Sequence, residues 1–124
     1  MRSLLFWVYL FNAVLLILHE MDSAYWREWE IFKLPGSIGF FLLIHVPVLA
    51  ALLLGSVFLA IGASAGLWIS LAAAAGGAIA FAIHTAFLRK GRPEFSTRPS
   101  RAILYTLLAG SVLQAGLTLR EFFR

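Results

Sequence analysis

The stretch SIGFFLLIHVPVLAALLLGSVFLAI, residues 37–61, decides the fold. It contains no Asp, Glu, Lys or Arg, and it is longer than the roughly 20 apolar residues that a helix needs to cross a bilayer. Pro47 lies inside it and removes one amide donor, so we expect a kink near this residue. The stretch therefore predicts a membrane-spanning helix.

Three further apolar stretches predict three more spans, at about residues 3–19, 67–88 and 101–119. The small residues at 62–66 predict a tight turn between the second and third spans. No linker is long enough to separate two domains. We predict an all-α fold, a polytopic membrane protein with one four-transmembrane-helix bundle over residues 1–124.

The composition supports the same class. The chain is 61% hydrophobic and only 13% charged, whereas soluble domains carry about 25% charged residues. The absence of cysteine excludes disulfides and thiolate metal sites. The net charge of +4 is modest, and no basic and aromatic platform lies outside the apolar stretches. We therefore expect the lipid bilayer as the partner, with no nucleic acid, and a homodimer or a larger membrane complex fits this size.

The Lys and Arg residues predict the orientation. With four spans, residues 20–36 and 89–101 lie on one face of the membrane, the loop face. The loop face carries seven of the ten bases: Arg27, Lys33, Arg89, Lys90, Arg92, Arg98 and Arg101. The opposite face carries the other three: Arg2, Arg120 and Arg124. The positive-inside rule predicts a cytoplasmic loop face, with both termini outside the cytoplasm.

The three histidines all fall toward the loop face. His19 ends the first apolar stretch, His45 lies about 12 Å inside the second, and His84 lies about 7 Å before the end of the third. An ionisable side chain inside a span is costly, and it usually faces the bundle interior or a wet cavity. Small residues at Ala73 and Gly77 share a helix face with His84 and favour close packing there. We therefore expect the three histidines to approach one another.

Carboxylates accompany these histidines. Asp22 follows His19 by three residues, a spacing that places both side chains on one helix face. Imidazole and carboxylate groups are ligands for divalent Zn, Fe, Mn or Ni. The predicted metal ligands are His19, Asp22, His45 and His84. Three acids are predicted as a general base or as hydrogen-bond acceptors for the ligands: Glu20, Glu28 and Glu30.

This grouping favours a membrane-embedded metalloenzyme. A bound divalent ion, Zn or Fe, would support hydrolytic or redox chemistry on an apolar or lipid-like substrate. Two alternatives remain open. His45 and His84 are candidates for the axial ligands of a b-type haem, with Gly76 and Gly77 making room for the macrocycle. In the second alternative, the chain is a non-catalytic accessory subunit or a proton-relay carrier, and each histidine makes one interhelical hydrogen bond.

Two other patterns predict helix packing. Ser111, Gln114 and Thr118 form a polar stripe at helical spacing, which indicates interhelical hydrogen bonds. The small residues at 72–77 predict a close helix–helix contact. Both patterns indicate structure, with no chemistry of their own.

The acidic region after the first span resembles a known group. The residues His19-Glu20-x-Asp22, Glu28-Trp29-Glu30-x-Phe32 and Leu34-Pro35-Gly36 are similar to those of the uncharacterised bacterial HXXEE-type small integral membrane proteins. The resemblance covers roughly residues 15–50, and Asp22 stands where a paired glutamate is expected. The resemblance implies a bacterial inner-membrane protein and marks this region as the one to test.

Overall fold

Four long helices and one short helix make up residues 2–124, which the computed structural model describes. Met1, the first residue of the predicted domain, lies outside the described residues. In chain order the helices are α1 (Arg2–Tyr25), α2 (Glu28–Ile31), α3 (Ile38–Ala60), α4 (Ser64–Arg89) and α5 (Arg98–Phe122). The described residues contain no strand, so the prediction of an all-α four-helix bundle is confirmed.

The four long helices are each long and apolar enough to cross a membrane. Their outer surfaces are apolar, and α3 carries large side chains such as Leu43 and Leu53 that are 68% and 64% exposed. A water-soluble protein does not present a continuous surface of this kind, so these faces meet lipid. The chain is an integral membrane protein.

Helix α1 continues six residues beyond the predicted span and ends at Tyr25. Arg27 and Lys33 then adopt left-handed backbone conformations, both with φ of 54°, and Gly36 follows with φ of 111°. Left-handed residues end a helix and reverse the chain. These turns bring the short helix α2 back toward the ends of α1 and α4, and this reversal positions the site described below.

The connection between α3 and α4 is shorter than expected. Only Gly62 takes a left-handed conformation, with φ of 75°, and α4 begins at Ser64 instead of after residue 66. Gly66 belongs to α4 and packs on the backbone of α3, where a Cβ atom would lie 2.7 Å from the amide nitrogen of Leu59. The small residues of this stretch therefore serve a close helix crossing as well as a turn.

The small residues of α4 contact α5 on one face only. Ala74 and Gly77 are buried, and Gly77 fits directly against Ser111 of α5. Gly76 faces the other way, with open space where a Cβ atom would stand. The predicted packing of residues 72–77 is thus confirmed for the inner face of the helix.

A layer of polar side chains crosses the bundle between α1, α4 and α5. The amide of Asn12 donates to Oε1 of Gln114 at 2.9 Å, and the amide of Gln114 donates to the carbonyl of Ser70 at 2.8 Å. The hydroxyl groups of Ser70 and Thr118 lie 2.8 Å apart. This polar layer consists of Asn12, Ser70, Ser111, Gln114 and Thr118, and its interhelical hydrogen bonds confirm the prediction from the stripe on α5.

Candidate metal centre

Two of the three histidines meet at the loop end of the bundle. His19 of α1 and His84 of α4 are 3% and 1% exposed, and their ring centroids lie 4.7 Å apart. Both helices direct these rings inward, as the polar and small faces of the sequence predict. Two imidazoles therefore share one buried space.

Glu28 joins them from the short helix α2. Its Oε1 atom lies 3.2 Å from Nε2 of His84, and its side chain is only 15% exposed. One ligand atom from each of His19, Glu28 and His84 lies within 4.8 Å of the others. These three residues form the His19–Glu28–His84 group, a set of two nitrogen donors and one carboxylate that could hold a metal ion.

The carboxyl group of Glu28 is held in its ionised form. Burial raises the pKa of this carboxyl, but its contact with His84 and the charges of the nearby imidazoles lower it more. The pKa of Glu28 therefore lies below its ordinary value of 4.5. A carboxylate is thus present at neutral pH, which is the form that binds a metal ion.

Several buried nitrogen atoms at and beside the group have no hydrogen-bond partner. The Nδ1 atoms of His19 and His84 are buried without a hydrogen-bond partner among residues 2–124, and so is Nε1 of the neighbouring Trp26. A buried polar atom without a partner costs about 1–3 kcal/mol, so such atoms are few in folded proteins. Their concentration here fits a site that accepts a ligand.

Phe95 covers the two histidines from the loop between α4 and α5. Its ring is fully buried, and its ring centroid lies 3.9 Å from that of His84 and 5.7 Å from that of His19. Its φ of 63° is unusual for a bulky residue and costs about 1–3 kcal/mol, which the surrounding contacts must offset. Phe95 was not among the residues predicted from the sequence, although a large aromatic side chain in an otherwise polar loop is a signal that could have identified it.

His45 makes a different pair. Its Nε2 atom lies 2.6 Å from Oε2 of Glu20, and its Nδ1 atom lies 2.6 Å from the carbonyl of Phe41. A carbonyl can only accept a hydrogen bond, so Nδ1 carries a proton. The short contact between Nε2 and Glu20 then holds one further proton, bound to the nitrogen or to the carboxyl. His45 and Glu20 form the His45–Glu20 pair, which shares a single proton.

The structure therefore divides the predicted site residues. His19 and His84 come together with Glu28, while His45 lies against Glu20 and outside that group. Asp22 is half-buried and also lies outside the group. Glu30 is exposed and forms an ion pair with Arg27 at 2.6 Å. The chemical roles assigned to these residues remain predictions.

A cavity of about 240 Å³ connects the two sets of residues. Glu20, His45 and Glu28 line it together with the aromatic residues Trp29 and Phe41. The rings of Trp29 and Phe41 pack with their centroids 5.4 Å apart. The His45–Glu20 pair thus shares this cavity with Glu28, the member of the His19–Glu28–His84 group that lines it.

The comparison with protein families identifies the family of the chain but does not assign an activity. The chain belongs to the family described as "Family of unknown function (DUF6713)", whose model matches residues 5–121. This match spans both the His19–Glu28–His84 group and the His45–Glu20 pair. No curated protein and no solved structure matches the chain. The resemblance to HXXEE-type proteins remains a prediction beside this family.

Proposed function

We propose that this protein is a membrane-embedded metal-binding protein in which His19, Glu28 and His84 hold one divalent ion, Zn or Fe. The observation that carries the proposal is the approach of three ligand atoms to within 4.8 Å of one another in a buried site. Ligands of one zinc ion lie about 2 Å from it, and hence within about 4 Å of each other. Binding an ion therefore requires these atoms to move together by less than about 1 Å.

The donor set indicates which chemistry the ion would support. Two histidines and one carboxylate hold catalytic zinc in some hydrolases, with the fourth position open to water or substrate. The same three ligand types hold Fe(II) in one class of oxygenases. A divalent ion here would act as a Lewis acid or as a redox centre. We therefore propose hydrolytic or redox chemistry on an apolar or lipid-like substrate, which makes the protein a membrane metalloenzyme.

The remaining acids take different roles in this proposal. Glu28 acts as a ligand, and Glu20 acts as the general base or acid, because its pair with His45 holds a proton beside the shared cavity. Glu30 takes no part, since its carboxylate is exposed and paired with Arg27.

The haem alternative has less support. Both ring nitrogens of His45 already contact protein atoms, Phe41 and Glu20, so axial ligation by His45 would break two short hydrogen bonds. The space at Gly77 is filled by Ser111. These contacts favour a single ion over a macrocycle between α3 and α4.

A proton-relay carrier is the second candidate. The observation that favours it is the 2.6 Å contact of the His45–Glu20 pair, which holds one proton beside the His19–Glu28–His84 group. In that function the group would exchange protons without binding an ion. The metal experiment below separates the two candidates.

For the setting, we propose the bacterial inner membrane, with a cytoplasmic loop face and both termini outside the cytoplasm. The excess of Lys and Arg on the loop face supports this orientation. The site then opens toward the cytoplasm. A homodimer or a larger membrane complex remains a prediction.

The metal content of the purified protein tests the proposal. The protein is stripped with a chelator in detergent, reloaded with zinc or Fe(II), and its bound metal is measured by plasma mass spectrometry. We expect one ion per chain in the wild type and in Gln114→Leu, a variant of a buried polar residue away from the site. His19→Ala and His84→Ala should retain none. A wild type without bound ion, or a His84→Ala variant that still binds one, would overturn the proposal.

A further inference from the structure

An apolar groove of about 290 Å³ runs between α1, α3 and α4 and faces the lipid. Its walls include Leu16, Val48, Ile69, Ala73 and Gly76. Among the described residues that line it, only one has a polar side chain, and that residue is Glu20. The groove therefore joins an apolar slot in the membrane to one half of the His45–Glu20 pair.

The groove is long and narrow. Its lining on α4 extends from Ile69 to Ala80, eleven residues or about 16 Å along the helix. This length is about half of the 30 Å hydrocarbon core. The volume lies just below the range for ligand pockets, about 300–1,000 Å³. These dimensions fit one hydrocarbon chain, with Glu20 at the end of the groove nearest the loop face.

Glu20 has an acceptor atom that the protein leaves open. Its Oε2 atom contacts His45, while its Oε1 atom has no hydrogen-bond partner within the described part of the chain. The side chain is 25% exposed and borders both the groove and the cavity that contains Glu28. A carboxylate oxygen beside hydrocarbon requires a hydrogen-bond donor, and lipid chains offer none.

We propose that the groove binds the hydrocarbon chain of a single-chain lipid whose uncharged head carries a hydroxyl group, and that this hydroxyl donates to Oε1 of Glu20. This inference deepens the proposed function and rests on it, because it names the substrate class of the same site. A ligand in this position has its head in the cavity that Glu28 of the His19–Glu28–His84 group lines.

Charge selects the head group. An anionic head would face the carboxylate of Glu28 across the same cavity. A cationic head would face the divalent ion of the proposed site. Since a buried charge without a partner is costly, a neutral hydroxyl fits best.

Gly76 and Gly116 offer a matched pair of variants. Both have open space where a Cβ atom would stand, so a larger side chain fits at either position without a clash at Cβ. Gly76 lines the groove, whereas Gly116 of α5 does not. Gly76→Phe should fill the groove, and Gly116→Phe should add the same bulk elsewhere in the membrane. Ala72→Phe blocks the groove from a second position.

The test uses photolabelling in nanodiscs of saturated phosphatidylcholine. A diazirine-bearing tetradecanol is activated by light, and the labelled peptides are identified by mass spectrometry. We expect labelling of α3 and α4 around the groove, and we expect excess tetradecanol to suppress it. Tetradecyl methyl ether lacks the hydroxyl donor, so it should compete at least about tenfold less effectively than tetradecanol. Gly76→Phe and Ala72→Phe should lose the groove label, and Gly116→Phe should retain it. Glu20→Ala should abolish the preference for the alcohol over the ether.

Equal competition by alcohol and ether in the wild type would overturn the proposal, and so would groove labelling that Gly76→Phe and Ala72→Phe leave unchanged. The experiment is run on chelator-treated and zinc-loaded protein. Alcohol-selective labelling of protein that holds no zinc after zinc loading would support the groove and reject the metal site. Bound zinc without alcohol-selective labelling would support the metal site and reject the groove proposal.

Discussion

The polar layer and the His19–Glu28–His84 group are two buried polar regions of one bundle, and they differ in how well the protein satisfies them. In the polar layer, Gln114 donates to Ser70 and accepts from Asn12, and only Oδ1 of Asn12 lacks a partner within residues 2–124. In the group, His19 and His84 each keep a buried nitrogen without one. A satisfied buried network holds helices together, whereas an unsatisfied one indicates a binding site.

The same helices supply both regions. Helix α1 contributes Asn12 to the layer and His19 to the group, and α4 contributes Ser70 and His84. What differs is the partner. At the layer, α5 presents side chains from a regular helix, while at the loop end the short α2 presents Glu28 from a chain reversal. The comparison indicates that the regular helices stabilise the bundle, whereas the irregular segment around α2 completes the candidate metal site.

The largest effect that we predict separates two glutamates of α2. Glu28→Gln should weaken zinc binding by more than about 100-fold, because loss of a ligand costs more than loss of a residue that only orients one. Glu30→Gln is the matched control and should bind zinc like the wild type. Competition with a fluorescent zinc chelator measures both. Equal zinc affinities of the two variants would show that Glu28 is not a metal ligand.

The polar layer should show the reverse behaviour. Gln114→Leu removes the hydrogen bond from the Asn12 amide, which keeps only its 3.3 Å contact with Ser111, and the hydrogen bond to the Ser70 carbonyl. We therefore expect it to lower the free energy of unfolding by about 1–3 kcal/mol. Its zinc affinity should not change. Thermal melting in detergent, alongside the chelator assay, measures both quantities. A variant with normal stability and impaired zinc binding would contradict the division into two regions.

Acid should weaken the metal-free protein through Glu28. The folded-state pKa of this carboxyl lies below its ordinary value of 4.5, so its contribution to stability is complete above that pH and is lost as the pH falls through the lower value. Melting temperatures of chelator-treated protein should therefore fall more steeply below about pH 4.5 in the wild type than in Glu28→Gln. Parallel curves for the two proteins would show that Glu28 has no such role.

The smallest effect is expected at Asp22, which the sequence analysis placed among the ligands. Asp22→Asn should change zinc affinity by less than about threefold, because its carboxylate lies outside the group and acts only through screened charge. The same chelator competition measures it. A loss as large as that of Glu28→Gln would support the prediction that Asp22 is a ligand and would require a different arrangement of the loop end.

The spans were predictable because one physical quantity, the thickness of the hydrocarbon core, determines them. The inward direction of His84 was also predictable, since Ala73 and Gly77 identify the packed face of α4. These inferences use helical periodicity alone. They hold wherever the helix continues through the membrane.

The identity of the acid beside the histidines was not predictable in the same way. Glu28 reaches His84 because Arg27 takes a left-handed conformation, and nothing in the local sequence demands this of an arginine. Likewise, His45 shares a membrane face with His19 and His84, but its partner is Glu20. Depth along a span can be read from a sequence, whereas side-chain direction at helix ends depends on tertiary packing.

X-ray absorption spectroscopy of the zinc-loaded protein tests the central claim most directly, because it reports the atoms around the ion. The proposed site predicts two imidazole nitrogens and oxygen ligands at about 2.0–2.2 Å. In Glu28→Gln the two-imidazole signal should weaken together with zinc occupancy, while Glu30→Gln should give the wild-type spectrum. A spectrum of oxygen ligands alone, or one that Glu28→Gln leaves unchanged, would show that His19, Glu28 and His84 do not form a metal centre.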